Sequence, residues 1–172
     1  RRSSDLPEIE AAPNAIEGTV DRLDAKNLSE TAIAGDAILS RTNAPLVRLF
    51  FGLAKSGKRV CMLGRDFGQK LAYRVKTWRK QAEKAGLTFT GLDLRARNSQ
   101  WLEERAADLE GRNPSALKLA TDESETIEVL TVGCRNRLET PESVDEVITT
   151  LSTAFQDDAD QSCIVLSSTH KF

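Results

Sequence analysis

The run Cys163-Ile164-Val165-Leu166 is apolar at every position and has the length of a single strand. Side chains alternate between the two faces of a strand, so a run without polar positions needs cover on both faces. That is the condition of a parallel strand sandwiched between helices. The run then gives way to Ser167, Ser168, Thr169, His170 and Lys171. In an open parallel sheet this is the carboxyl edge, where ligands bind.

Two further runs extend the pattern. Ala37, Ile38 and Leu39 read as a buried strand leading into Ser40-Arg41-Thr42-Asn43, and Arg59 to Leu63 reads as another leading into Gly64. Between them a helix is predicted, capped by Thr42 or Asn43, with Pro45 in its first turn and Leu46, Val47, Phe50, Leu53 and Ala54 at helical spacing. Ser56-Gly57 ends it. Residues 37–63 therefore read as a right-handed β-α-β unit with parallel strands. Upstream, Gly18 to Leu23 resembles a short strand and Asn27 to Ala34 a short helix.

After Gly64 the pattern turns helical. Phe67, Leu71, Val75, Trp78 and Ala82 form one stripe, with Lys70, Arg74, Arg79, Lys80 and Lys84 off it. Further helices are predicted from Leu92 to Glu110, from Pro114 to Val132 with Asn113 as cap, and from Pro141 to Phe155 with Thr140 as cap. Asp157, Asp158 and Asp160 mark a turn. The expected fold class is α/β: a partial parallel sheet formed by residues 1–65 and 161–172, with a mainly helical insertion, residues 66–160, before the last strand.

A chain of 172 residues that is 40% hydrophobic can bury one good core. It contains no apolar run of membrane-spanning length and no secretory leader pattern, so a soluble, cytoplasmic protein without a membrane partner is expected. Cys61, Cys134 and Cys163 are odd in number and widely spaced, which predicts reduced core residues and no metal site. The only methionine is Met62, and no helix follows the final strand; both suggest a segment of a longer protein.

Charge is distributed unevenly. Residues 1–40 carry 4 basic and 8 acidic side chains, residues 41–118 carry 17 and 7, and residues 119–172 carry 3 and 11. A block as basic as the middle one is a candidate polyanion surface. It could equally be solvated helix faces, or be masked by the acidic third.

Three motifs resemble catalytic signatures without their context. Gly52 to Lys58 fits the G-x-x-x-x-G-K frame of a phosphate loop, but it closes a helix and opens a strand, and Arg59 stands where Ser or Thr is required. Asp66-Phe67-Gly68 spells a kinase magnesium triplet without the accompanying loop and lysine strand. Cys163 with His170 fails as a nucleophile pair because the thiol lies in an apolar strand.

What remains is the pair of strand tips, Ser40-Arg41-Thr42-Asn43 and Ser167 to Lys171. If the strands are parallel, hydroxyl, amide, guanidinium, imidazole and ammonium groups gather on one edge. Neither tip offers a carboxylate as a general base, so the set suits a phosphate backbone better than acid–base chemistry. The plainer alternative makes Thr42 and Asn43 helix caps and His170 a solvated residue.

The strings I-L-S-R-T-N-A-P-L at Ile38 to Leu46, G-R-D-F-G at Gly64 to Gly68 and V-L-S-S-T-H-K at Val165 to Lys171 resemble superfamily 1 DNA helicases of the UvrD, Rep and PcrA type. Their order and spacing are similar to the second RecA-like motor domain with its inserted helical subdomain. The resemblance implies an ATP-driven motor on single-stranded DNA. Ser168 and His170 would occupy the hydroxyl-x-histidine of the family's fifth motif, and Arg41 and Asn43 the motif before the insertion. Arg65, in the glycine-arginine turn, and Lys171 complete the implied DNA-contact set. ATP and magnesium are implied for the whole protein, and the first motor domain of the same polypeptide is the implied partner. The family's magnesium-binding acidic pair and the K-G-L-E after the histidine are not in this chain, nor is a phosphate loop in its proper context. It is therefore expected to carry no catalytic, cofactor or metal residues and no ATPase activity alone. Two other readings stand beside this one: a non-enzymatic protein-interaction module on an α/β scaffold, and a nucleotide enzyme using Gly52 to Lys58.

Overall fold

Residues 28, 30–109, 112–134, 137–158 and 162–168 are described by the structure, a computed structural model. The strand read at Gly18 to Leu23 lies outside these residues. So do Asn27 and Ser29 of the short helix, of which Leu28, Glu30 and Thr31 are helical. The elements that follow are β1 (Ala37–Ser40), α1 (Asn43–Lys55), β2 (Val60–Leu63), α2 (Arg65–Lys84), α3 (Gly91–Leu109), α4 (Pro114–Gly133), α5 (Glu142–Thr153), β3 (Phe155–Gln156) and β4 (Ile164–Ser168). The fold is mixed α/β and mostly helical, with one sheet, parallel at every pairing, among the described residues.

The strand order is β1-β4-β2-β3. The last strand in the chain thus separates the two strands of the β-α-β unit, which are parallel as expected but not neighbours. Its composition explains the central position: Ile164 and Leu166 are fully enclosed, each burial contributing about 2 kcal/mol. On one side the β4 backbone takes an Asp36 carbonyl through Val165 N–H at 2.8 Å, and on the other an Arg59 carbonyl through Ile164 N–H at 2.8 Å.

Two expectations are corrected. Leu39 is 53% exposed, because β1 is an edge strand of the described sheet and only its Ile38 side packs against the core. The last helix ends at Thr153, not Phe155. Its final turn closes through Ala154 N–H to the Thr150 carbonyl, and Phe155 pairs with Met62 as a fourth strand. There its ring meets Phe67 at 5.5 Å between centroids.

One continuous apolar cluster joins the sheet to the helices. Leu53 of α1 and Met62 of β2 belong to one cluster with Leu71 and Val75 of α2, Leu94 of α3, Ile127 of α4 and Leu151 of α5. Gly68 permits the close α2–α5 approach. A Cβ there would collide with the Leu151 carbonyl and lie 2.8 Å from the Phe155 side chain. This packing accounts for the glycine of Asp66-Phe67-Gly68 without magnesium chemistry. As the sequence suggests, Asn113 caps α4, its side-chain oxygen accepting from Ala116 N–H at 3.0 Å.

Candidate functional site

The carboxyl edge is built by strand register. Ser40 of β1 lies opposite Ser168 of β4, and Met62 of β2 opposite Leu166. Gly64, two residues beyond Met62, therefore reaches the level of Ser168. At φ +131° Gly64 adopts a backbone that favours glycine, and the chain passes directly from β2 into α2 at Arg65. Three tips thus share one edge: Ser40-Arg41, Gly64-Arg65 and Ser168.

Arg41 is exposed and has no partner among the described residues. Arg65 is also exposed, its guanidinium 3.2 Å from Asp157 across the edge, a contact of small energetic weight in water. Ser168 is only 4% exposed. His170 and Lys171 lie outside the described residues.

Asn43 has a different environment from the one its sequence position suggests. It is 6% exposed and bound to Asp122 of α4, which is itself 3% exposed. One Asp122 oxygen accepts from Asn43 N–H at 2.7 Å and Ala44 N–H at 3.2 Å, while the other accepts from the Asn43 side-chain amide at 2.7 Å. Neither Thr42 nor Asn43 supplies the cap, since no side-chain cap bond comes from Thr42. The free N–H groups of α1 are satisfied by a carboxylate 79 residues away, at the helix end where negative charge is favoured.

Asp122 belongs to a polar triplet that sequence reasoning passed over. Glu123, equally buried, accepts from Lys70 and Arg74 of α2, and Ser124 accepts from Asn98 of α3 at 3.0 Å. Consecutive residues of α4 thereby tie it to α1, α2 and α3. Burying charge without partners is costly, so these contacts define how the helices sit. In the sequence Thr121 to Thr126 reads T-D-E-S-E-T, six polar residues in a row that resemble a solvated face. The partners of the triplet lie in distant elements. Arg74 also lies 3.8 Å above the Trp101 ring.

The acidic third neutralises part of the basic block. Arg65 pairs with Asp157, Lys70 and Arg74 with Glu123, Arg79 with Asp145, and Arg95 with Glu128. The bonds to Asp145 and Glu128 raise the affinity of the Arg79 and Arg95 guanidiniums for their protons. The masking leaves Arg41, Lys76, Lys80 and Lys84 without carboxylate partners among the described residues.

The phosphate-loop frame does not fit ATP. Gly52 lies within α1, Gly57 at φ +79° turns the chain out of that helix, and the Lys58 ammonium donates to the Glu30 and Ala32 carbonyls. No helix N-terminus follows the lysine to receive a phosphate. A cleft of about 830 Å³ opens between α1, α4 and α5, but none of its lining residues belongs to a strand tip. Among the described residues, no helix is long and apolar enough to cross a membrane.

The chain matches no protein-family model, no curated protein and no solved structure in the comparisons made.

Proposed function

We propose that this chain is part of the second RecA-like motor domain of a superfamily 1 DNA helicase, together with its inserted helical subdomain, and that it supplies single-stranded DNA contacts. The observation that carries the reading is the β1–β4 register. By aligning Ser40 with Ser168, it brings the I-L-S end of the first string beside the V-L-S-S part of the second, with the G-R turn of β2 at the same level. Strings 127 residues apart in sequence need not have met; their union on one carboxyl edge is what a nucleic-acid grip made from both would require.

In this reading Arg41 meets a phosphate through its planar fork, with His170 and Lys171 on the neighbouring nucleotide. Ser168, with His170, occupies the hydroxyl-x-histidine of the family's fifth motif. Asn43 acts indirectly, holding the start of α1 through Asp122 and so fixing the bend that presents Arg41. ATP hydrolysis belongs to parts of the motor outside this chain, with the first motor domain as its partner.

The test is fluorescence anisotropy of a labelled oligo(dT) with Arg41→Ala and His170→Ala. Loss of one charge-assisted phosphate contact predicts about tenfold weaker binding for Arg41→Ala. Wild-type affinity in both variants would leave those positions as a bend and a tail. Competition by excess unlabelled oligonucleotide separates this reading from a protein-interaction module, whose partner would not be displaced.

A further inference from the structure

The basic side chains of α2 divide by face. Arg65, Lys70, Arg74 and Arg79 each reach a carboxylate on the acidic third of the chain. Lys76, Lys80 and Lys84 have no partner among the described residues and are exposed. With about 3.6 residues per turn, these three and Tyr73 occupy roughly a quarter of the helix circumference. Leu71, Val75 and Trp78 are buried on the opposite side. Glu83, the nearest acid along the helix, is committed to Arg79 at 2.9 Å.

Tyr73 makes this face more than a solvated one. It is the most exposed of the large hydrophobic residues described, at 73%, and its ring joins no aromatic or cation-π pair among the described residues. An aromatic side chain standing free within a row of cations is what a strand of nucleic acid uses: ammonium groups for phosphates, and a ring for a base taken out of its stack. Lys76, Lys80 and Lys84 repeat at about 6 Å along the axis, four residues at 1.5 Å each, which lets successive phosphates of an extended strand be met in turn.

We propose that the Tyr73-Lys76-Lys80-Lys84 face of α2 is a track for single-stranded DNA. The inference rests on the nucleic-acid reading above and extends it, because α2 begins at Arg65 on the carboxyl edge and carries the positive surface away from it. A purely acidic chain such as polyglutamate would satisfy the lysines but give the free ring nothing to stack on, whereas single-stranded nucleic acid supplies both phosphates and bases.

The test uses the 172-residue chain with fluorescein-labelled oligo(dT) between 50 and 200 mM salt, alongside labelled polyglutamate. The triple variant Lys76→Gln, Lys80→Gln and Lys84→Gln is predicted to flatten the log affinity–log salt slope by about 2, three phosphate contacts at roughly 0.7 each on a single strand. Tyr73→Ala is predicted to weaken binding with the slope unchanged, and Tyr73→Phe to restore it. A wild-type slope in the triple variant, with Arg41→Ala still weakened, would overturn the track and leave the edge reading intact. A loss in the triple variant but not in Arg41→Ala would support the track and remove Arg41 from the edge reading. Wild-type binding in both would overturn both. Capture of polyglutamate but not oligo(dT), abolished in the triple variant, would overturn the track in favour of an acidic protein.

Discussion

Replacing Asp122 with alanine should destabilise this fold more than most single changes. The substitution removes the acceptor for Asn43 N–H and Ala44 N–H at the start of α1, and leaves the buried Asn43 amide facing a methyl group. Loss of a helix cap costs about 1 kcal/mol, and an unpaired buried amide donor about 2 kcal/mol more. With a urea dependence of about 2 kcal/mol per M, a loss of about 3 kcal/mol lowers the unfolding midpoint by about 1.5 M. Asp122→Asn should cost less, about 1 kcal/mol: one amide oxygen still accepts both backbone donors, and Asn43 can turn its own oxygen toward the new NH2 group. Urea unfolding followed by circular dichroism measures both. A midpoint for Asp122→Ala within about 0.2 M of wild type would refute the claim that this carboxylate anchors α1.

Three further outcomes follow from the same geometry. Gly68→Ala forces a methyl group into the Leu151 carbonyl and Phe155 and should cost about 1–3 kcal/mol, whereas Gly52→Ala, with open space in a helix, should gain up to about 1 kcal/mol; equal melting shifts would contradict the packing. Burial, aided by Glu146, pushes the Cys134 thiol up to about 11 from an ordinary 9.0, so a disulfide reagent at pH 7.5 should label it only after unfolding. Because its folded value is the higher one, the stability it contributes is present below pH 9.0 and lost as pH rises toward about 11, a decline that Cys134→Ala should reduce. ATP with magnesium should leave the melting temperature unchanged, since Lys58 is engaged with backbone carbonyls; a rise dependent on Lys58 would restore the nucleotide-site reading.

The sequence made the strands and helices legible where local physics decides them. Cys163 to Leu166 has to be covered on both faces, and β4 is central; Asn113-Pro114 starts a helix by chemistry that needs no distant partner. What escaped was non-local. Nothing in Ala37 to Leu63 says that a strand a hundred residues later will separate β1 from β2. The two-residue strand Phe155-Gln156 carries no alternation and continues the preceding helical pattern. The polar triplet Asp122-Glu123-Ser124 reads like a solvated face until the fold delivers Asn43, Arg74 and Asn98 to it. For the candidate site, the two tips were legible as polar strand ends. The alignment of Ser40 with Ser168 is a matter of register, which local sequence does not specify.

The most direct test of the central claim is the salt dependence of oligo(dT) binding by the unmodified chain. Phosphate contacts from Arg41, Arg65 and Lys171 alone predict that raising salt from 50 to 200 mM weakens binding about 20-fold, and the α2 face would steepen this. Absence of binding at 50 mM salt, or an affinity indifferent to salt, would contradict a nucleic-acid grip at this edge.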